Sequence, residues 1–407
     1  MAKFTFDSLA SGNAVDAGKI TIYDDDHNPL VLGAECQLGR TGASGSVYEI
    51  ASAPEFCVKV FRPQELADKV KRDRIISALE AMLNMPECKG DRRLCWPLGL
   101  VRDDKGLVIG YAMRRIPKGF VPLKSIFYGA NSVSRRFPSW GRKQLALTAK
   151  NFVDTLVDLE VRGVRPADFN AENMVCNERC EVMFLDTDSF MFFERNGTVH
   201  TSPMYFPDYA PEEILRDPKV VGKPRTVEQT RFSAAVISFM LLMTGQHPYT
   251  YVVALDGSST ASPAENILAG KCPLGRGAGC LQGKNWYAIW SWITSSLQRA
   301  FITTFRDGHS NPAVRTPLEL LSKELGKFAY ECDRLPGRNE LAPAHPKPRQ
   351  MHSASAFVPR ACGPVPRVPM QRQSGHRDWS QRNFGFRPYG TFSNNNDNYR
   401  SFGGSNY

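Results

Sequence analysis

No stretch of this 407-residue chain combines the length and apolarity of a membrane span. Its marked apolar run, FSAAVISFMLLMTG from Phe232 to Gly245, has fourteen residues, short of the roughly twenty that a helix needs to cross a bilayer. That run is apolar on every side, so it reads as a buried central helix ended by Gly245. The ten cysteines show no spacing suited to zinc or to a disulfide framework, and the seven histidines suggest no metal site. Cys176 and Cys180 flank a turn between two short strands, where small residues fit. Unpaired thiols imply a reducing compartment. The opening MAKFTFDSLASG lacks the apolar core of a secretory signal, so a soluble cytoplasmic protein without membrane attachment is expected.

A large acidic or basic surplus is also missing from most of the chain. The net charge is +10, but residues 336–407 hold ten Lys/Arg against three Asp/Glu, a surplus of seven. From Pro336 the composition turns to Pro, Arg, Asn, Gly and Ser without helical or strand period, and a disordered tail is expected over 336–407. Its end, NFGFRPYGTFSNNNDNYRSFGGSNY, interleaves Arg with Phe and Tyr. That mixture can stack on unpaired bases, and it also occurs in tails with no nucleic-acid partner. Ser353, Ser355, Ser374 and Ser380 are candidate acceptors for an activity in the same chain, because a tethered tail is locally concentrated.

The most informative segment is VRPADFNAENMVCNERCEVMFLDTDSF, Val164 to Phe190. Asp168 precedes Asn173 by five residues, and an apolar strand then delivers Asp186. An Asp/Asn-rich turn between strands would share this composition. The order resembles the catalytic and metal loops of protein kinases. That resemblance makes Asp168 the group that orients a substrate hydroxyl and makes Asn173 and Asp186 the ligands of Mg2+. Hard magnesium takes oxygen donors, which an amide and a carboxylate supply.

Upstream, LGRTGASGSVYEI reads as strand, glycine turn, strand. Gly42, Gly45 and Val47 match the kinase nucleotide loop, whereas Arg40 stands at its first glycine position and Gly39 lies one place early. In FCVKVF, residues 56–61, one cation interrupts an apolar strand, and a buried lysine must be paired. By resemblance Lys59 grips the ATP phosphates and pairs with a helix carboxylate. Glu80 in the helical stretch 66–83 is the preferred partner, with Glu65 and Asp73 in or beside the same segment.

ALEAMLNMP, the paired strands of WPLGLVRDDKGLVIGYAMRRIP, DTDSF at 186–190 and TFRDGHSNPAVRTP at 304–317 together resemble the bacterial YegI-like protein kinases, over about residues 31–330. The resemblance implies an α+β, bilobal protein-kinase-like fold. Its parts are an N-terminal extension (1–30), an N-lobe (31–117), a C-lobe (118–335) and the tail. It further implies ATP and Mg2+ as cofactors and a Ser/Thr protein kinase acting on protein substrates, its own tail included. PDYAPEE places Ala210, Pro211 and Glu212 where kinases close their activation segment, so a Glu212–Arg315 ion pair is expected.

Three departures shape the expectation. Pro166 and Ala167 precede Asp168 in place of HisArg, Asn170 replaces a lysine, and Thr230 stands where an aspartate braces the catalytic loop. Without the arginine, activity should not depend on phosphorylating the 186–212 segment. The alternative is a pseudokinase, a nucleotide- or partner-binding scaffold. Retention of Lys59, Asp168, Asn173 and Asp186 argues for the enzyme.

Overall fold

The computed structural model describes residues 20–39, 42, 44–217, 219, 222–250, 261–275, 284–335 and 337–348. The candidate phosphorylation sites and aromatic end of the tail, the first nineteen residues and Arg40 lie outside them.

Period-two apolar segments separated by turns build the first lobe. Its strands are β1 (Ile20–Tyr23), β2 (Pro29–Leu32), β3 (Gln37–Leu38), β4 (Gly45–Glu49) and β5 (Phe56–Phe61). Helices α1 (Pro63–Ala67), α2 (Lys69–Leu83) and α3 (Pro86–Gly90) follow, then β6 (Pro97–Arg102) and β7 (Val108–Arg114). The seven strands form one antiparallel sheet in the order β2-β1-β6-β7-β5-β4-β3. The sheet therefore takes in β1, upstream of residue 31. The helical stretch expected over 66–83 is broken at Asp68, which is extended and whose carboxylate accepts the Lys71 N–H at 2.7 Å. Such an N-cap contributes about 1 kcal/mol and starts α2 afresh.

In the second lobe the chain continues through β8 (Val121–Pro122), α4 (Ala130–Arg136), α5 (Arg142–Val161), β9 (Val164–Arg165), β10 (Met174–Cys176) and β11 (Val182–Phe184). Next come β12 (Met191–Phe193), β13 (Val199–His200), α6 (Glu212–Arg216), α7 (Val227–Leu242) and α8 (Pro263–Leu268). It ends with α9 (Lys284–Trp292), α10 (Ser295–Ile302), α11 (Gly308–Ser310) and α12 (Leu318–Cys332). Two small sheets, β11-β10-β8 and β13-β12-β9, hold the loops between them. The architecture is α+β and two-lobed, as the resemblance implied.

Helix α7 is the centre of the large lobe. Phe232, Ile237, Phe239 and Leu242 are all buried, so no face is left for solvent. The run ends where expected: Gly245 has φ +98°, and a Cβ there would lie 1.6 Å from the Phe127 carbonyl oxygen. Only glycine allows that approach.

The lobes are clamped at Asp91, between α3 and β6. Its carboxylate pairs with Arg93 (2.7 Å) and Arg162 (2.8 Å), and Arg93 also reaches Asp158 on α5 (2.7 Å). At the other end, residues 337–348, grouped with the tail by composition, pack on the helices. Asn339 accepts the N–H of Arg142 through its carbonyl (3.0 Å) and that of Lys143 through its side chain (2.8 Å), which caps α5. Polar pairing holds this stretch, and apolar periodicity does not reveal it.

Candidate active site

The antiparallel register sets the site. Strand β5 places Lys59 opposite Val47 on β4 and Tyr111 on β7. Gly45 makes this close pairing possible, since a Cβ there would fall 2.3 Å from the Val60 carbonyl oxygen. Gly42 is exposed, and its N–H bonds the Gly45 carbonyl (2.9 Å), so the two glycines close one turn, from which Ser44 lines the cleft. Val47 is partly buried and packs on the core.

Below the sheet, Asp168 follows β9, Asn173 leads into β10, and Asp186 comes just after β11. Asn173 donates its amide N–H to Asp168 at 2.9 Å. Burial raises the Asp168 carboxyl, the nearby Asp186 charge adds to that, and the Asn173 hydrogen bond opposes it. Asp186 is in the left-handed region (φ 47°, ψ 41°), a conformation costly for a residue other than glycine. Ser189 helps to fix it by donating its hydroxyl to the Asp186 carbonyl (2.8 Å).

Lys59, 3% exposed, joins the two levels. Its Nζ lies 3.3 Å from Asp186 Oδ1, 2.9 Å from Asp188 Oδ1 and 3.0 Å from Asp188 Oδ2. Burial works against its charge more than any single partner supports it, yet the two carboxylates together raise its pKa above the usual lysine value. Residues 59, 168, 186 and 188 line one cavity of about 180 Å³, with Ser44 above and Ser202 to Met204 at its side.

Two expected pairings are corrected. Glu80 is exposed and does not meet Lys59; the residues of α2 that line the cavity are Lys71, Arg74, Ile75, Ala78 and Leu79. Glu65 pairs with Lys71 (2.8 Å), and Asp73 lies against Arg72 (3.8 Å). The Lys59 partner that sequence reasoning passed over is Asp188. A second carboxylate two residues after the metal-loop Asp was the available signal.

At the activation-segment end, Arg315 pairs with Glu213, at 2.7 and 2.9 Å, and not with Glu212. Glu212 faces Arg216 and His309 instead. His309 also meets the Ile267 carbonyl at 2.6 Å. Thr230 is buried and spends its hydroxyl on the Thr226 carbonyl within its own helix. Asn170 accepts the Glu172 N–H and shapes the turn before Asn173.

No cysteine among the described residues is in a disulfide. Among the described residues there is no cluster of three or more His, Cys, Asp or Glu placed to hold a metal, and no helix long and apolar enough to cross a membrane. A cation in the cleft would thus rest on Asp186 and the Asn173 amide oxygen, with phosphate and water completing its shell.

No family model matches the chain. It is 25% identical to "Protein kinase YegI" of Escherichia coli O157:H7 over 244 residues and to that of Escherichia coli strain K12 over 243, which is 60% of this chain in both cases. The chain spans 36% of the length of these curated relatives. Over that shared stretch the chain is similar to these two proteins, in line with the resemblance that its segments carry.

Proposed function

We propose that the chain transfers the γ-phosphate of ATP to Ser or Thr hydroxyls of proteins. The observation that supports this most is the meeting of Lys59 and Asp186 at 3.3 Å in the cavity that Asp168 also lines. These residues lie over a hundred positions apart, and a merely structural fold has no need to gather them in one cleft. The lobes divide near Pro117, with the small lobe before it and the helical lobe after.

Lys59 holds phosphate oxygens, and the Gly42–Gly45 turn lets backbone approach them. Asp168 orients the acceptor hydroxyl. As the hydroxyl oxygen bonds to the γ-phosphorus, the bond from that phosphorus to the bridging oxygen breaks, ADP leaves with the electron pair, and the hydroxyl proton passes to Asp168. A carboxylate whose pKa is raised by burial is a better proton acceptor than a free one. The oxygen donors of Asn173 and Asp186 suit magnesium, which would neutralise charge on the phosphates. The cysteines without disulfides suit a reducing, cytoplasmic setting, and the chain's own serine-bearing tail is a candidate substrate beside other proteins.

The scaffold reading is favoured by one observation, that Thr230 braces nothing beyond its own helix. Incubating the purified chain with ATP and magnesium and mapping phosphate by mass spectrometry separates the two. Phosphoserine or phosphothreonine, in the tail or in an added protein, is expected. Nucleotide binding with no phosphate incorporated would establish the scaffold instead.

A further inference from the structure

A lysine this buried needs a fixed counter-charge, and α2 supplies none. That helix lines the cavity with Ile75, Ala78 and Leu79 and with two cations, Lys71 and Arg74, but with no carboxylate, and the Glu65 carboxylate of α1 that also lines it is paired with Lys71 at 2.8 Å. The counter-charge comes from the loop after β11, where both oxygens of Asp188 sit within 3.0 Å of Lys59 Nζ. Tyr111, fully buried on β7, donates its hydroxyl to Asp188 Oδ1 at 2.7 Å and fixes the carboxylate plane. Between the two aspartates, Thr187 donates to the Cys95 carbonyl at 2.8 Å and pins the loop to the chain entering β6.

We propose that Asp188, oriented by Tyr111, positions Lys59 for phosphate, the task that a helix carboxylate performs in the kinases this chain resembles. The proposal rests on the nucleotide-binding reading above. The two carboxylates at Lys59 are unequal. Asp186 makes one contact at 3.3 Å and its side chain is 45% exposed; Asp188 makes two at 2.9 and 3.0 Å and is 14% exposed. The longer, more exposed contact yields first, so an incoming phosphate oxygen displaces Asp186 from Lys59 and leaves Asp188 in place. Asp186 is then free to face a cation. The lysine is thereby preset whenever the loop is folded, and its alignment does not require α2 to swing inward.

The test is titration of the full chain with a fluorescent ATP analogue, in EDTA and in magnesium, for wild type, Asp188→Asn, Asp188→Glu, Tyr111→Phe and Asp186→Asn. Loss of one partner of a buried charge pair should weaken Asp188→Asn by about tenfold or more under both conditions. Asp186→Asn should lose chiefly the gain that magnesium confers. Tyr111→Phe should show a smaller loss, and Asp188→Glu a partial recovery over Asn. In steady state Asp188→Asn should raise the KM for ATP more than it lowers kcat. Wild-type affinity of a folded Asp188→Asn in EDTA would overturn the proposal, as would a loss in Glu80→Gln with none in Asp188→Asn. A wild type that binds no nucleotide in either buffer would instead remove the nucleotide reading, and this positioning role with it.

Discussion

Arg315, with no exposed side-chain surface, makes a two-pronged ion pair with Glu213 across 102 residues of sequence. Two further donors go to the carbonyls of Gly308 (2.9 Å) and Glu228 (3.1 Å), and its guanidinium lies over Phe232, 5.2 Å from the ring centre. One side chain thus ties the activation-segment end to the starts of α7 and α11.

Removing that arginine strands a carboxylate and leaves two carbonyls without their donor. Arg315→Met should cost about 3 kcal/mol of stability. Glu212→Gln should cost less, because its partner Arg216 is largely exposed and a glutamine oxygen can still meet His309. Thermal melts of the two variants check this; equal losses would contradict it.

The interlobe clamp predicts a pH dependence. Burial would raise the Asp91 carboxyl, but hydrogen bonds from Arg93 and Arg162 outweigh it and hold the pKa at about 2, below the usual 3.8. A depressed carboxylate pKa contributes stability that is full above about pH 4 and is lost as pH falls toward 2. The contribution is about 1–2 kcal/mol, reduced by the solvent that reaches Arg93. Urea midpoints should separate wild type from Asp91→Asn near neutrality, and the gap should narrow at about pH 3. A constant gap would contradict the clamp.

Asp168→Asn keeps the hydrogen-bonding shape but removes the proton acceptor. The transfer rate should fall by about a hundredfold or more while nucleotide affinity persists. Rate and affinity measured on the same preparation check the split.

Ala167 stands where a phosphate-anchoring arginine would be, and the segment after Asp186 is held by unmodified groups. Arg225 donates to the Met204 carbonyl at 3.1 Å, and His200 meets Glu194 at 2.7 Å. Phosphatase-treated protein should therefore transfer phosphate as fast as untreated protein. A marked loss on treatment, restored by ATP, would contradict this.

Much of the fold was legible because its signals are local. FCVKVF and GLVIGYAM carry strand period, and the α7 run carries uniform apolarity. The pairing of Asp168 with Asn173 and the nearness of Asp186 were legible in their spacing. What sequence left open was which side chain meets which across distance. Glu80 and Glu212 are each plausible by position, yet helix phase turns Glu80 outward, and Arg315 is reached by the neighbour of Glu212. From sequence Asp188 reads as a group that steadies the loop after Asp186 or as a turn aspartate; its contacts to Lys59 and to the Tyr111 hydroxyl, 77 residues away, leave no local trace. The packing of Asn339 on α5 was illegible for the same reason: two hydrogen bonds leave no periodic trace.

The central claim is that Lys59, Asp168, Asn173 and Asp186 form one working phosphoryl-transfer cleft. Radiolabelled ATP supplied with magnesium to wild type and to Asp186→Ala tests it most directly. Label should enter protein with wild type and not with Asp186→Ala at equal folding. Equal incorporation by both, or none by a wild type that is folded and nucleotide-bound, would contradict it.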